Sequence, residues 1–382
     1  MNYQDVIDYL FSLKRFGMKL GLDQIKEALE VFDNPEKEMK IIHVAGTNGK
    51  GSVAAMITAV LQDAGFRTGL FTSPHLIDFR ERIRINDEQI SEDDVVDIFT
   101  QIKEMELTYF EYLTLMALLY FKGKTDYVVL ETGLGGKLDA TNISDSIVSV
   151  LTPIGLDHTH ILGETVEEIA DDKTEIIKPD SVVVTCHQKP EVLEIIKKKA
   201  SERGCKLIEV EETCETNLLG EFQKRNAGIA AAIAHELGIR EDHITYGLKH
   251  VNWLGRLQYL EDNLLVDGAH NIEALDEMKQ YVDSLGRDVI IIFGVTGKRD
   301  AKDMIKHLPK HKQLIFTMAD SANTNVDQGH LKAVDPETID AECIKIKDLK
   351  QALDHARSLQ KNGELILVTG SIYLVGDVMK LC

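Results

Sequence analysis

The run Ile41-Ile42-His43-Val44-Ala45 followed by Gly46-Thr47-Asn48-Gly49-Lys50-Gly51-Ser52 constrains this chain more than any other stretch. A continuous apolar run, a glycine-rich turn and then the Ala-rich segment Val53 to Leu61 predict a strand, a turn and a helix in that order. Such a turn leaves successive backbone N–H groups unpaired at a helix N-terminus, where the helix dipole also favours negative charge. With a lysine inside it, the turn is a candidate phosphate cradle. The general P-loop spacing asks for Gly six positions before the Lys-Ser/Thr pair. Here Val44 stands at that place and Gly51 separates Lys50 from Ser52, so this is a variant loop.

A chain of 382 residues, 44% hydrophobic and 28% charged, can bury a large core and is long enough for two or three domains. Its 43 Lys and Arg against 63 Asp and Glu leave a net charge of −20, which argues against nucleic acid or an anionic membrane as main partner. A polyanion can still be held locally by loop amides, Mg2+ and a few arginines. Cys186, Cys205, Cys214, Cys343 and Cys382 form no Cys-x-x-Cys pair and no metal-finger spacing, as expected of reduced thiols in a cytoplasmic protein. Met1 to Leu20 carries Asp5 and Asp8 without an uninterrupted apolar core, so no signal peptide is predicted. No run of about 18 apolar residues predicts a membrane span.

The rest of the chain alternates. Two amphipathic helices, over 3–14 and 22–31, precede the loop, with Lys19-Leu20-Gly21-Leu22 between them. A strand over 67–71 leads into a polar loop, Thr72 to Ile83, and Ser91 caps a helix. An aromatic cluster, Leu107 to Tyr112, precedes an apolar helix over 113–121. The strand over 126–130 ends at Glu131, and carboxyl ends of strands are where open α/β sheets bind ligands. A strand over 147–151 runs into Thr152 to His160, a helix over 164–177 carries Lys173, and a further strand and helix fill 181–204. Residues 245–254 read as a linker. Beyond it, strands over 264–266, 289–293, 313–317 and 364–368 alternate with helices. This pattern predicts an α/β protein: a P-loop ATPase-like N-terminal domain with a parallel-rich sheet over 1–250, and a smaller Rossmann-like C-terminal domain over 251–382. The second half lacks Gly-x-Gly-x-x-Gly after its first strand, so dinucleotide binding is unsupported.

Several motifs, taken in chain order, resemble those of the folylpolyglutamate synthase/dihydrofolate synthase family within the Mur-ligase superfamily. They are the loop Gly46 to Ser52, Ser73-Pro74-His75-Leu76, Thr108-Tyr109-Phe110-Glu111, Glu131 to Asn142, Leu156-Asp157-His158-Thr159, Gly255-Arg256, and Asp267-Gly268-Ala269-His270-Asn271. The resemblance implies ATP phosphates on Thr47, Asn48, Gly49, Lys50, Gly51 and Ser52, with Asn226, Arg256 and Asp267 also on the nucleotide. It implies Mg2+ on Ser73, Glu131 and His158, and a second Mg2+ on a Lys173 converted by CO2 to a carbamate, fifteen positions after His158. It places Thr108, Tyr109, Phe110 and Glu111 beside a pteroate, Arg82, Lys137 and Ser371 on substrate, and His270 facing an acyl phosphate and an incoming amino acid. Lys50, Lys173 and His270 are the implied catalytic groups. Lys137 departs from the family, which usually shows Arg there; the charge survives but the bidentate fork does not.

Taken without the resemblance, Ser73 is a turn residue, Lys173 a solvated lysine on a charged helix face, Asn226 a helix cap, and His158 and His160 a loop pair with no further ligand to complete a zinc set. With it, the chain is expected to be a monomeric ligase that adds L-glutamate to a folate or dihydropteroate carboxylate, using ATP and an acyl-phosphate intermediate. Another Mur-type amino-acid ligase, or an ATP-dependent switch that ligates nothing, remains open. A ligase for a UDP-linked substrate would need a further N-terminal domain, and about 40 residues precede the first strand of the loop unit.

Overall fold

The computed structural model describes residues 1–13, 21–297, 299–320, 332–361 and 363–382. Lys19 and Leu20 of the interhelical turn lie outside these residues.

The first half builds an eight-stranded sheet from β1 (Ile41–Ala45), β2 (Thr68–Phe71), β3 (Ile83–Ile85), β4 (Glu88–Gln89), β5 (Tyr127–Glu131), β6 (Ser146–Leu151), β7 (Val182–Cys186) and β8 (Lys206–Val210), in spatial order β4-β3-β2-β5-β1-β6-β7-β8. All neighbours are parallel except the β3 and β4 edge, which pairs antiparallel. Strands buried on both faces read as nearly continuous apolar runs, and every residue of β1 and β5 is buried, His43 and Glu131 included. Helices α1 (Tyr3–Leu13) and α2 (Asp23–Val31) cover one face together with α4 (Glu92–Ile102) and α5 (Tyr109–Phe121). The loop helix α3 (Lys50–Asp63) covers the other with α9 (Glu221–Glu236) and α10 (Glu241–Lys249). Short α6 (Thr159–Leu162), α7 (Val166–Thr174) and α8 (Pro190–Glu202) fill the far edge.

The second half is a six-stranded sheet of β9 (Gln258–Glu261), β10 (Leu264–Val266), β11 (Val289–Phe293), β12 (Gln313–Phe316), β13 (Ile344–Lys345) and β14 (Leu365–Thr369), in the order β13-β12-β11-β14-β10-β9. Only β9 pairs antiparallel. Helices α11 (Ile272–Ser284) and α12 (Ala301–Ile305) pack on one face, α13 (Leu349–Leu359) and α14 (Ile372–Leu381) on the other.

The expected α/β class with two sheets is present, and four local readings need correction. Residues 245–249 are the last half of α10 and not a linker: Gly247 removes the side chain at the point where α10 lies on α3, its absent Cβ falling 2.6 Å from Val60 Cα. The helix expected from Leu113 starts at Tyr109, because Thr108 and Glu111 form a reciprocal capping box. The helix expected over 164–177 is confined to Val166–Thr174, capped by Thr165. Asn226 lies inside α9, whose N-cap is Gly220.

β1 also holds a wholly buried histidine. Thr141 Oγ1 gives its single proton to Asp139 Oδ1, so His43 Nε2 must be the donor to Thr141 Oγ1 at 2.7 Å, and His43 Nδ1 is left without a partner. Burial pushes this imidazole down to about 3, against about 6.5 in an unfolded chain. Between those values the unfolded state binds a proton that the folded state refuses. The contribution to stability is therefore complete above pH 6.5 and lost as the pH falls. Urea melts at pH 7, 6 and 5 should show the wild type losing about 2 kcal/mol more than His43→Leu over that range; parallel slopes for the two proteins would mean that the folded state accepts the charge.

Candidate active site

Parallel register determines which loops meet. Val44 of β1 stands opposite Glu131 of β5, Ala45 opposite Leu151 of β6, and Phe71 of β2 opposite Leu130. The loops leaving β1, β2, β5 and β6 therefore emerge side by side at one carboxyl edge, carrying Lys50, Ser73, Glu131 and His158. In the second sheet β10, β14 and β11 are likewise neighbours, and the loops after them carry His270, Ser371 and Arg299. Both edges line one cleft of about 1620 Å³, more than a single small-molecule site of roughly 300–1,000 Å³ requires.

The glycine loop is held open by its glycines. Gly49, at φ +86°, is the N-cap of α3 and supplies no side-chain cap, so the first-turn amides of Lys50, Gly51 and Ser52 have no capping acceptor. The amides of Thr47 and Asn48 both donate instead to Pro153 O, at 2.9 and 3.3 Å. Of the amides expected to cradle phosphates over Thr47 to Ser52, those of Thr47 and Asn48 are thus taken and anchor the turn to the loop after β6. Lys50 Nζ folds back onto the Gly46 and Thr47 carbonyls at 3.1 and 3.2 Å. The departure from the general P-loop has a steric cause: a Cβ at Gly51 would lie 2.6 Å from the Trp253 ring. Asn226 presses its amide against Gly49 and donates to Gln223 Oε1, while Gln223 Nε2 donates to Ser52 Oγ at 3.2 Å.

Beside this cradle, Glu131 is 4% exposed and accepts the Ser73 N–H at 2.9 Å. Burial raises its carboxyl; the charge of Lys50 is the largest opposing influence. Among the described residues no lysine, arginine or histidine nitrogen comes within ion-pairing distance of it. A buried carboxylate of this kind, with Ser73 beside it and His158 lining the same cleft, suits a hard divalent cation. No three His, Cys, Asp or Glu side chains converge among the described residues. A small donor set fits Mg2+, which keeps waters and substrate phosphates in its shell.

Lys173 is not a solvated surface lysine: it is 5% exposed, and Gly136 packs against its backbone. Burial first, then the charge of Lys50, push its amine down to about 7. In the second half Asp267 is buried and accepts the Leu257 and Ala269 amides at 2.9 and 2.8 Å, while Arg256 lies over Gly268. His270 Nδ1 donates to Gly268 O at 2.9 Å, which leaves Nε2 as the free base on the cleft side, and burial pushes the ring down to about 4. Ser371 caps α14 and lies 3.3 Å from Thr296 Oγ1.

The apolar end of the cleft is formed by Tyr109 and Phe110, whose ring occupies the space beside Gly133. Arg82 stands over the Tyr109 ring at 5.8 Å and donates Nε–H to His75 Nδ1 at 2.7 Å. Thr108 and Glu111 line the cleft, and Glu111 Oε2 accepts from both the Thr108 N–H and the Thr108 hydroxyl at 2.8 and 2.7 Å. Lys137 is the one expected substrate residue outside the cleft lining; it is exposed, because Gly135 and Gly136 turn the chain down onto α7.

Sequence reasoning passed over Asp157, Asn271, Arg299, Gln223 and Trp253. Asp157 and Asn271 stand inside quoted motifs, so neighbouring motif residues were the available signal; the others carry none. Burial would raise the Asp157 carboxyl, but the neighbouring His158, His270 and Arg299 hold it well below the usual range.

Residues 44–213 match the Mur ligase middle domain and residues 255–372 the Mur ligase glutamate ligase domain. The chain is 31% identical to a dihydrofolate synthase/folylpolyglutamate synthase of Bacillus subtilis, covering 99% of this chain and 98% of that protein. It is 27% identical to a folylpolyglutamate synthase of Lacticaseibacillus casei, covering 99% and 98%. Its fold superposes on Mycobacterium tuberculosis folylpolyglutamate synthase, solved with ADP and AMPPCP, with a TM-score of 0.88 at 26% identity over 100% of this chain and 99% of that one. A folylpolyglutamate synthase complex with AMPPCP and folate gives 0.83 at 27% identity, again over 100% and 99%. With its loops, its cleft and its full-length likeness to these enzymes, the chain belongs to the folylpolyglutamate synthase/dihydrofolate synthase family of Mur ligases.

Proposed function

We propose that this protein joins L-glutamate to the carboxylate of a folate or dihydropteroate at the expense of ATP. The observation that carries the reading is the arrangement of one cleft: an open-amide cradle with Lys50 at its centre, an aromatic wall of Tyr109 and Phe110 at one end, and His270 with Arg299 facing both from the second sheet. A cradle of amides and a lysine suits polyphosphate. An aromatic face suits a flat heterocycle.

A carboxylate is a poor electrophile, and phosphoryl transfer to it creates a leaving group. The first-turn amides of α3 and Lys50 orient and neutralise the β- and γ-phosphates, so that the terminal phosphoryl is presented to the carboxylate. Arg256, reaching from the second half beside Asp267, adds positive charge near the nucleotide. The incoming amine must lose a proton as it attacks the acyl phosphate. His270, neutral at physiological pH and with Nε2 free, is placed to accept it. Ser73, Glu131 and His158 would hold Mg2+, which supplies charge neutralisation on the phosphates when bound. The neutral fraction of a buried Lys173 amine can take up CO2, and the resulting carbamate would serve a second cation. Asn226 and Gln223 brace the loop from α9 on the nucleotide side. No helix among the described residues is long and apolar enough to cross a membrane, and every implied substrate is a small molecule.

Purified protein incubated with ATP, Mg2+, L-glutamate and each pterin in turn should release phosphate only when all are present, with a product heavier by one glutamyl residue on mass analysis. Phosphate release indifferent to pterin and glutamate would favour a switch and sink the ligase reading. Lys50→Ala should cut turnover by about 10²–10³-fold with little change in melting temperature, and Glu131→Gln should raise the Mg2+ concentration needed for half-maximal rate. An unchanged Mg2+ titration would remove Glu131 from the metal site. In 13C-labelled bicarbonate, the wild type should show a carbamate carbon signal by NMR that Lys173→Met lacks; identical spectra would leave Lys173 an unmodified amine.

A further inference from the structure

Asp157 is where the loop after β6 meets the second sheet. Its side chain is 16% exposed. Oδ1 accepts the His158 N–H at 2.8 Å and lies 3.5 Å from Arg299 Nη2; Oδ2 lies 3.9 Å from His270 Nε2 and accepts from Asn271 Nδ2 at 3.4 Å. Three of these four groups come from the second half of the chain. Asn271 also pairs side chain to side chain with Asn48 of the phosphate loop, at 3.0 and 3.3 Å, and its Oδ1 caps α11 through Ala274 N. One carboxylate is thereby linked, through a single amide, to the loop that holds the nucleotide. The approach is made possible at Gly155, where any Cβ would fall 1.8 Å from the Glu273 carboxylate, while Glu273 pairs with Lys189 of the first half at 3.6 Å.

Without a negative charge at this point, Arg299 would face the cleft that already contains Lys50 and Lys173 with a contact to the Thr296 carbonyl at 3.4 Å but no carboxylate partner among the described residues. We propose that Asp157 is a positioning residue for the amine-attack step: it draws Asn271 and Arg299 over the phosphate loop beside His270, so that the groups facing the incoming amino acid align with the phosphoryl when the two halves close. This rests on the ligase reading above, and it concerns the alignment of that site. Asp157 acts through its neighbours and touches no reacting atom.

Asp157→Asn is the discriminating variant. It keeps the shape and, at the Oδ1 place, an oxygen for the His158 amide and for Arg299, but it removes the charge that Arg299 meets and sets an NH2 donor against the Asn271 donor. Misalignment of this order should lower kcat by about 10²-fold, and loss of charge-assisted contacts should raise the KM for glutamate by about tenfold. The KM for the pterin and the calorimetric affinity for AMPPCP should stay near wild type. Asp157→Glu should recover part of kcat, and Asp157→Asn combined with Arg299→Gln should be less damaging than the product of the two single effects, because both remove the same contact. In solution scattering with AMPPCP and Mg2+, the wild type should be more compact than Asp157→Asn. An unchanged kcat/KM for glutamate in Asp157→Asn, or an equal loss for all three substrates with a lowered melting temperature, would overturn the proposal. Should the wild type ligate no pterin at all, the ligase reading fails by itself, and the scattering comparison still decides: equal compactness of the two proteins refutes Asp157 as the closing contact, and a difference retains it.

Discussion

Three parallel strands, β5, β1 and β6, carry the rest of this structure. Their ladder places Val44 beside Glu131 and Ala45 beside Leu151, so the loops that follow these strands leave the sheet side by side. A register slip of one position would move every side chain of the slipped strand to the opposite face of the sheet and carry Glu131 away from the loop. The glycines then do the local work. Gly46 sits so close to Thr152 that a Cβ would fall 1.9 Å from its Oγ1, and Gly51 leaves room for Trp253. Backbone proximity, more than any single bond, makes an anion cradle out of a turn.

The protein as a whole is acidic, yet the cleft between its sheets gathers Lys50, Arg82, Lys173, Arg256 and Arg299. Net charge describes the solvated surface; the cleft is governed by near neighbours in a medium that screens poorly. Crowding of positive groups is also why the Lys173 amine is lowered: burial penalises its charge and Lys50 repels it. Glu131, Asp139 and Asp267 are buried carboxylates raised by the same burial, each held by backbone amides.

The two halves share the site and do not merely abut. Asn48 with Asn271, Asp157 with Arg299, and Lys189 with Glu273 tie the carboxyl edge of one sheet to that of the other. Leu76, in the loop that carries Ser73, lies against Gly255 and Gly376 of the second half, where a Cβ at Gly376 would fall 2.1 Å from the Leu76 carbonyl. Loop and partner sheet are therefore coupled on both sides of the nucleotide position.

Much of this was legible in the amino-acid order, because the signals are local. Continuous apolar runs mark buried parallel strands, the Gly46 to Ser52 turn marks a cradle, and the Ser91 cap marks a helix start. The Thr108 and Glu111 capping box was also written there, three residues apart, although an aromatic cluster next to it read as the end of a loop. Other features had no local signature. Gly247 reads as a break, and only contact with Val60 shows why a helix needs it. Lys173 reads as solvated, and only the turn of Gly135 and Gly136 above it makes it a buried amine. The amides of Thr47 and Asn48 are spent on Pro153, about a hundred residues away. Sequence by itself determined the central buried strands of both sheets, the loop chemistry and the family likeness, since each depends on neighbours along the backbone. Which charges meet, which amides stay open and what Asp157 touches were decided only by tertiary structure, because hydrogen bonds and ion pairs act through a few ångströms of space and are blind to separation along the chain.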